Sequence, residues 1–385
     1  MRVSLGVEEE FHIVGADNRS LVPEAPALLG KLSSDTYTQE FRRSVIETNS
    51  AVHPTLDALH RDLSETRRTL ADAADALGLA VVAAGTVPQA RVEDIQATDE
   101  RRYTDMARDY RLVADEQLIC GAQVHVDVPD RDTAVRAAAL VSPWLPVLLA
   151  LTASSPFWLG ADTGYASWRT LLWQRWPTAG PIGHFASAAA YDEAIADLVR
   201  SGVISDPGMV YYDVRPSARQ RTLELRITDS CPRVETVVLV AGLFRALVVD
   251  ACEAVREDRT DWPIARTEWL RAATWRAARS GLEGALIDPL THEPASASDV
   301  VHSMLTRLRP RLEALSDWTT VHLLAHEQLA RGSEAHRLRR YAPRERWADA
   351  VGDLIALTRG DRPPTTHPRP GTRATTNRGD KQCAA

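Results

Sequence analysis

Gly6-Val7-Glu8-Glu9-Glu10-Phe11 is the stretch that decides the fold. It lies within Arg2–Val14, an otherwise apolar segment rich in β-branched residues that reads as a strand. Side chains alternate across a strand, so Glu8 and Glu10 share one face while Val7, Glu9 and Phe11 share the other. Two carboxylates on one face repel each other, and the strand tolerates them where a cation sits between them or where that face is open to water. The pair alone fits either reading. Glu9 falls on the apolar face, where the pattern gives it no role.

Three further segments repeat the arrangement. Phe41–Asn49 puts Val45, Glu47 and Asn49 on one face. Leu118–Val128 sets Gln123, His125 and Asp127 against Val124, Val126 and Val128. Thr222–Thr228, joined to an extended Met209–Arg215 by a short polar turn, turns Glu224 and Arg226 away from Leu223, Leu225 and Ile227. Together these segments describe a sheet packed on helices by one face and lined with ligands on the other. Oxygen-rich clusters of this kind suit Mg²⁺ or Mn²⁺. Zinc is disfavoured in this reading, on the ground that no cysteine pair or histidine pair has ligand spacing.

Between the strands, leucines from Leu56 to Leu77 recur at helical spacing up to Gly78, and Leu79–Ala84 reads as a buried strand. Helices are expected over Asp99–Asp115 and over Arg131–Leu151, the latter kinked at its prolines. Later helices are expected from Pro232 to about Glu257 and over Arg266–Ser280, Ser298–Leu315 and Trp318–Arg331. Ser154–His184 is a long aperiodic stretch carrying Trp158, Trp168, Trp173 and Trp176, and is expected to be a functional lid rather than a disordered loop. Composition marks residues 359–385 as a tail expected to be disordered and leaves residues 1–358 as one domain.

The 385 residues are 44% hydrophobic and 25% charged, which describes a soluble globular protein. The net charge of -7 argues against nucleic acid or an anionic membrane as partner. Cys120, Cys231, Cys252 and Cys383 have no paired spacing, and with a first strand at the very start of the chain they point to a reducing, cytoplasmic setting with no signal peptide. The apolar run Val141–Ala153 is too short to cross a bilayer. There is no phosphate loop, no dinucleotide-binding glycine turn and no serine nucleophile turn. The only lysines are Lys31 and Lys381, so any phosphate falls to metal and to arginines, with Arg169, Arg175, Arg215 and Arg226 the candidates. Surface salt-bridging is the other reading of those arginines, as a hydrogen-bonded core histidine is of His125.

Gly6–Phe11, Ile46–Asn49, Gly121–Val126, Trp176–Pro181 and Thr222–Arg226 resemble, in order and spacing, the type 2 glutamate–cysteine ligases, a family of carboxylate–amine ligases. The resemblance runs from residue 3 to about 341, ending on Arg331–Ala335. It implies an α+β, glutamine synthetase-like catalytic fold with a curved, largely antiparallel sheet flanked by helices. It also implies ATP and Mg²⁺ as cofactors, small-molecule amino acid and amine substrates, weak glutamate–cysteine ligase activity and a homodimer. Carried over by position, Glu8, Glu10, Glu47 and Glu224 correspond to metal ligands, with Glu224 and Arg226 at the reacting phosphate. Arg169 and Arg175 correspond to anion-binding residues and Gln123 and His125 to metal or nucleotide contacts, while Arg215, as a candidate phosphate arginine, and Asn49, on the face of Glu47, are further candidates for substrate or nucleotide binding. Glutamine stands at Gln123 where the wider superfamily often has histidine, which leaves open whether Gln123 or His125 meets metal or nucleotide.

The chemistry expected of such a site is amide formation through an acyl phosphate. Its barrier is mainly electrostatic because both partners of the first step are anions. The base that deprotonates the amine is not legible. The alternatives are a metal-dependent phosphotransferase acting on a guanidino or carboxyl group, and a non-catalytic nucleotide- or amino-acid-binding protein.

Overall fold

A computed structural model describes residues 3–91, 96–259 and 265–361. The expected strand at Glu8 and Glu10 is the central one. β1 (Leu5–Gly15) belongs to a seven-stranded sheet with β2 (Tyr37–Gln39), β3 (Val45–Asn49), β4 (Leu79–Val82), β5 (Ala122–Asp127), β8 (Val214–Pro216) and β9 (Thr222–Leu225). The order is β2-β3-β1-β5-β9-β8, β4 also pairs with β1, and every pairing is antiparallel. Small hairpins are formed by β6 (Phe157–Trp158) with β7 (Ala161–Asp162), and by β10 (Ala285–Ile287) with β11 (Pro294–Ser296).

Register explains why the polar residues meet. Glu8 stands opposite Asn49 on one side and Gln123 on the other, and Glu10 stands opposite Glu47. His125 is opposite Glu224, which is in turn opposite Arg215. With a side-chain period of two, slipping any one pairing by a residue would send its ligands to the apolar face. Burial of that apolar face therefore fixes the polar one.

The apolar side of the sheet packs on α9 (Val234–Glu257), whose residues from Thr236 to Cys252 are all buried. Around it pack α2 (Leu56–Asp75), α5 (Arg131–Val141), α6 (Leu145–Thr152), α11 (Ala297–Ala314) and α12 (Trp318–Arg331). At Gly242 α9 comes close to its neighbours: a Cβ there would lie 2.5 Å from Val321 and 2.8 Å from Leu56. Remaining helices are α1 (Ala25–Leu29), α3 (Arg101–Tyr110), α4 (Leu112–Asp115), α7 (Trp168–Trp173), α8 (Ala188–Arg200), α10 (Thr267–Ser280), α13 (Glu334–Arg339) and α14 (Trp347–Arg359).

Several expectations are corrected. The helix expected over Asp99–Asp115 breaks into α3 and α4 because Arg111 takes a left-handed φ of 51°. The helix over Arg131–Leu151 is broken where a kink was expected, at Pro143, by a short 3-10 turn, Ser142–Trp144. Its combined span, Arg131–Thr152, is long and apolar enough to cross a membrane by composition, but 83% of the apolar window is buried inside the protein. The aperiodic stretch from Ser154 holds a hairpin and α7 rather than a free loop. Arg359 ends α14 and pairs with Asp72 and Asp75, so it is not the start of a tail, and the rest of the expected tail, from 362, lies outside the described residues.

Glu9 gains its role here. It is fully buried and paired with Arg67 of α2 through Nε–Oε2 at 3.1 Å and Nη2–Oε1 at 2.5 Å. Arg67 also donates to the carbonyls of Cys231 and Pro232. One charge pair thus ties β1, α2 and the start of α9 together, with its donors and acceptors satisfied.

Candidate active site

The polar face of the sheet floors a cavity of about 780 Å³. Glu8, Glu10, Glu47, Glu224, Asn49, Gln123, His125, Arg169, Arg215 and Arg226 all line it. Arg175 does not. Its Nη1 is 2.5 Å from Glu116 Oε2 and its Nε donates to Leu172 O, so it closes α7 onto the segment after α4. The side chain is paired with Glu116 and does not line the cavity, while its Nη2 is buried without a hydrogen-bond partner.

The carboxylates converge as two separate triads. Ligand atoms of Glu8, His125 and Glu224 lie within 4.8 Å of one another, as do those of Glu10, Glu40 and Glu47. In the first triad, His125 Nε2 is 3.3 Å from Glu8 Oε1. His125 Nδ1 is 3.0 Å from Thr222 Oγ1, which can hold the Nδ1–H tautomer and leave the Nε2 lone pair facing the carboxylates. The His125 nitrogen and the Glu8 and Glu224 oxygens, brought this close together, form a donor set that fits a divalent cation.

In the second triad the charges lack an internal cation. Burial, with the charge of Glu10 added, pushes the Glu40 carboxyl up to about 7 although it opens onto the cavity. Burial and the charges of Glu40, Glu8 and Glu10 push Glu47 well above the usual carboxylate range. Glu10 is held by Gly121 N at 2.6 Å and by Gln123 Nε2 at 3.1 Å, while Thr38 Oγ1 and Asn49 Nδ2 donate to Glu47. These contacts answer where Gln123 and His125 go. Gln123 donates to Glu10, with its own Oε1 buried and unpartnered, and His125 stands in the first triad. Glu40 was not legible as a site residue: it sits just outside the strand pattern, in the turn leading to β3, where alternation gives no signal.

Glu224 behaves differently. Burial would raise its carboxyl, but Arg226 and Arg215 outweigh burial and hold it down at about 2. Arg215 grips it with two bonds, Nε–Oε2 at 2.8 Å and Nη2–Oε1 at 3.1 Å, and Arg226 Nη1 donates to Oε1. Burial would lower the His125 pKa, but interaction with the Glu8 carboxylate, together with the charge of Glu224, outweighs burial and raises it.

The arginine side of the cavity keeps unspent donors. Arg226 Nε and Arg169 Nε are buried without a hydrogen-bond partner, and both residues line the cavity. Arg169 reaches its place because Gly121 has no side chain: a Cβ there would overlap the guanidinium. Behind it, Asp229 accepts from Ser154 N, Ser155 Oγ and Ser167 Oγ, and Ser155 Oγ accepts from Arg169 N at 3.1 Å. Trp173, Trp176 and Tyr211 form the aromatic wall, with ring centroids 4.8 Å apart for Trp173–Tyr211 and 5.6 Å for Trp176–Tyr211. Arg102 and Asp206, paired at 2.6 Å and partly exposed, stand at the edge of the cavity.

One exclusion made from the sequence does not hold. His322 and His326 do have metal-ligand spacing on α12, although they lie outside this cavity.

An antiparallel sheet whose polar face gathers two clusters of potential metal ligands, beside arginines with unpartnered donors, defines a protein with a charged cavity suited to small polar ligands. Its fold is shared with the glutamate–cysteine ligase of Francisella tularensis solved in complex with AMP (TM-score 0.67, 13% identity, covering 93% of this chain and 92% of that one). It is also shared with a bifunctional glutathione synthetase from Pasteurella multocida (TM-score 0.66, 17% identity, covering 93% of this chain and 51% of that one). Residues 4–356 match the model of Glutamate-cysteine ligase family 2, and the chain belongs to that family. A relative from Frankia casuarinae named "Putative glutamate--cysteine ligase 2-2" is 53% identical over 94% of this chain, which spans 42% of that relative's length. A relative of the same name from Mycolicibacterium smegmatis is 50% identical, covering 92% of this chain and 90% of its own. The first three curated relatives are more than twice as long as the part this chain matches.

Proposed function

We propose that the cavity joins a carboxylate to an amine at the expense of ATP, with weak glutamate–cysteine ligase activity: ATP, L-glutamate and L-cysteine give γ-glutamylcysteine, ADP and phosphate. The observation that carries this reading is the pair of ligand triads on one sheet face beside the free Nε donors of Arg226 and Arg169. A binding protein has little use for so many converging carboxylates. Glu8, His125 and Glu224 would hold one Mg²⁺ or Mn²⁺ ion, and Glu10, Glu40 and Glu47 another. Ions bound there supply charge neutralisation for the triphosphate and for the phosphoryl group in flight.

The remaining work belongs to the chain itself. Arg226, fixed by Glu224 and stacked near Trp173 and Tyr211, offers its Nε–H to the transferred phosphoryl oxygens. Its orientation is set before substrate arrives, so little reorganisation accompanies the reaction. Arg169 offers a second buried donor to an anionic group of substrate or nucleotide. Glu224 stays ionised at neutral pH, so it acts as a ligand and anchor and carries no proton. The aromatic wall keeps water from an acyl phosphate that would otherwise hydrolyse.

The test is ADP release by the purified chain with ATP, Mg²⁺, glutamate and a panel of amines that includes cysteine. Amine-dependent ADP is expected, and Glu224→Ala should lower it by about 10²-fold or more, as loss of a preorganised electrostatic group does. No amine-dependent release across the panel above the Glu224→Ala background overturns the reading. A stable phosphorylated product without amide would replace it with phosphotransfer.

A further inference from the structure

Three histidines meet outside the cavity. His322 and His326 stand one turn apart on α12, and His302 comes from α11 beside it. The Nε2 atoms of His322 and His326 are 3.1 Å apart, and their ring centroids 4.4 Å. The His302 ring centroid is 5.4 Å from that of His326. Residues four apart on a helix project from one face, so the backbone itself holds the first two rings together. Two imidazole nitrogens bound to one tetrahedral ion at about 2.0–2.1 Å stand roughly 3.3 Å apart, close to the spacing seen.

His302 has the hydrogen bonding of a ligand. Its Nδ1 is 2.7 Å from the carbonyl of Ser298, which can only accept, so Nδ1 carries the proton and Nε2 keeps its lone pair. A main-chain carbonyl on the far nitrogen is the usual outer support of a metal-bound imidazole. His322 is also packed against Trp318, with centroids 4.8 Å apart, which limits the positions its ring can take. His302 and His326 are exposed and His322 partly so, leaving the group open to an ion from solution.

We propose that His322 and His326 form a site for a borderline divalent transition ion, with Zn²⁺ as its probe, and that His302 turns in from α11 as its third ligand and so clamps α12 to α11. Imidazole favours zinc, nickel and copper over magnesium, whereas the carboxylate cavity favours magnesium. The molecule would therefore sort two kinds of metal by ligand type, and this site does not rest on the reading of the cavity.

The experiment is a Zn²⁺ titration of the untagged chain by calorimetry, in a large excess of Mg²⁺ so that the carboxylate triads are already occupied. One equivalent of Zn²⁺ should bind and raise Tm, and the His322→Ala/His326→Ala double variant should lose both effects. His302→Ala should weaken binding by at least about tenfold, the least that loss of an outer-shell partner costs. The side chains are at the surface, so metal-free melting of each variant should match the parent and report an intact fold. Absence of Zn²⁺ binding under excess Mg²⁺, or unchanged binding in the double variant, overturns the site. Unchanged affinity in His302→Ala overturns it as a three-histidine site.

Discussion

Among single residues, Glu40 is the most instructive. Its carboxyl sits at about 7 instead of the ordinary 4.5, because burial and Glu10 disfavour its charge. A divalent ion should bind in exchange for protons, so Mg²⁺ uptake near neutral pH is expected to release them, read as a dependence of the binding enthalpy on the buffer's ionisation enthalpy. Glu40→Gln removes both the repulsion and a ligand. It should leave the metal-free protein as stable or more so while lowering Mg²⁺ affinity by about tenfold or more. A variant with full Mg²⁺ affinity would remove Glu40 from the ligand set. Sequence pattern made Glu8, Glu10, Glu47 and Glu224 legible because strand alternation marks them, and their faces are those observed. It could not mark Glu40, which precedes the strand, nor tell that Arg175 would spend its charge on Glu116.

For an element, the question is what fixes its position. β1 was readable as a strand from its own residues, yet its attachment to α2 depends on Glu9 and Arg67, which are 58 residues apart and carry no shared local signal. Arg67→Ala would leave Glu9 buried without a counter-charge, and is expected to cost about 3–5 kcal/mol in urea unfolding. A cost near that of a surface substitution would show that the pair is solvated. β2, α13 and the β10–β11 hairpin went unread because they are short and tertiary packing decides such segments, whereas α8 and α14, 13 residues each and amphipathic, carried a helical pattern that was overlooked. At Gly121 the prediction is kinetic. Gly121→Ala should displace the Arg169 guanidinium and lower turnover more than thermal stability, with parallel losses in both marking a role in folding alone.

For the whole molecule, two kinds of carboxylate give opposite pH responses. Glu224 titrates at about 2 in the folded protein against an ordinary 4.5, so its stabilisation is complete above 4.5 and is lost as pH falls toward 2. Glu40 is the reverse: the folded protein keeps its proton to higher pH than the unfolded chain does. Stability is therefore lost as pH rises from 4.5 through about 7 unless a cation is bound. Mg²⁺ should raise Tm more at about pH 8 than at about pH 6, because only the ionised triad binds it fully. An equal increment at both would mean that Glu40 is already ionised in the metal-free protein. The overall architecture was legible as one sheet with an apolar and a polar face, whereas the grouping of ligands into two triads was not, because it depends on register between distant strands.

Cys120, Cys231 and Cys252 are all interior, and burial pushes each thiol up, that of Cys252 to about 12. They should stay silent toward an alkylating or chromogenic disulfide reagent while the fold persists. With Cys383, which lies outside the described residues, changed to serine, such a reagent can remain in the cuvette and register only free small-molecule sulfhydryl. It would then serve as a running meter of heat-induced opening as well, since colour from the protein can emerge only as its centre comes apart.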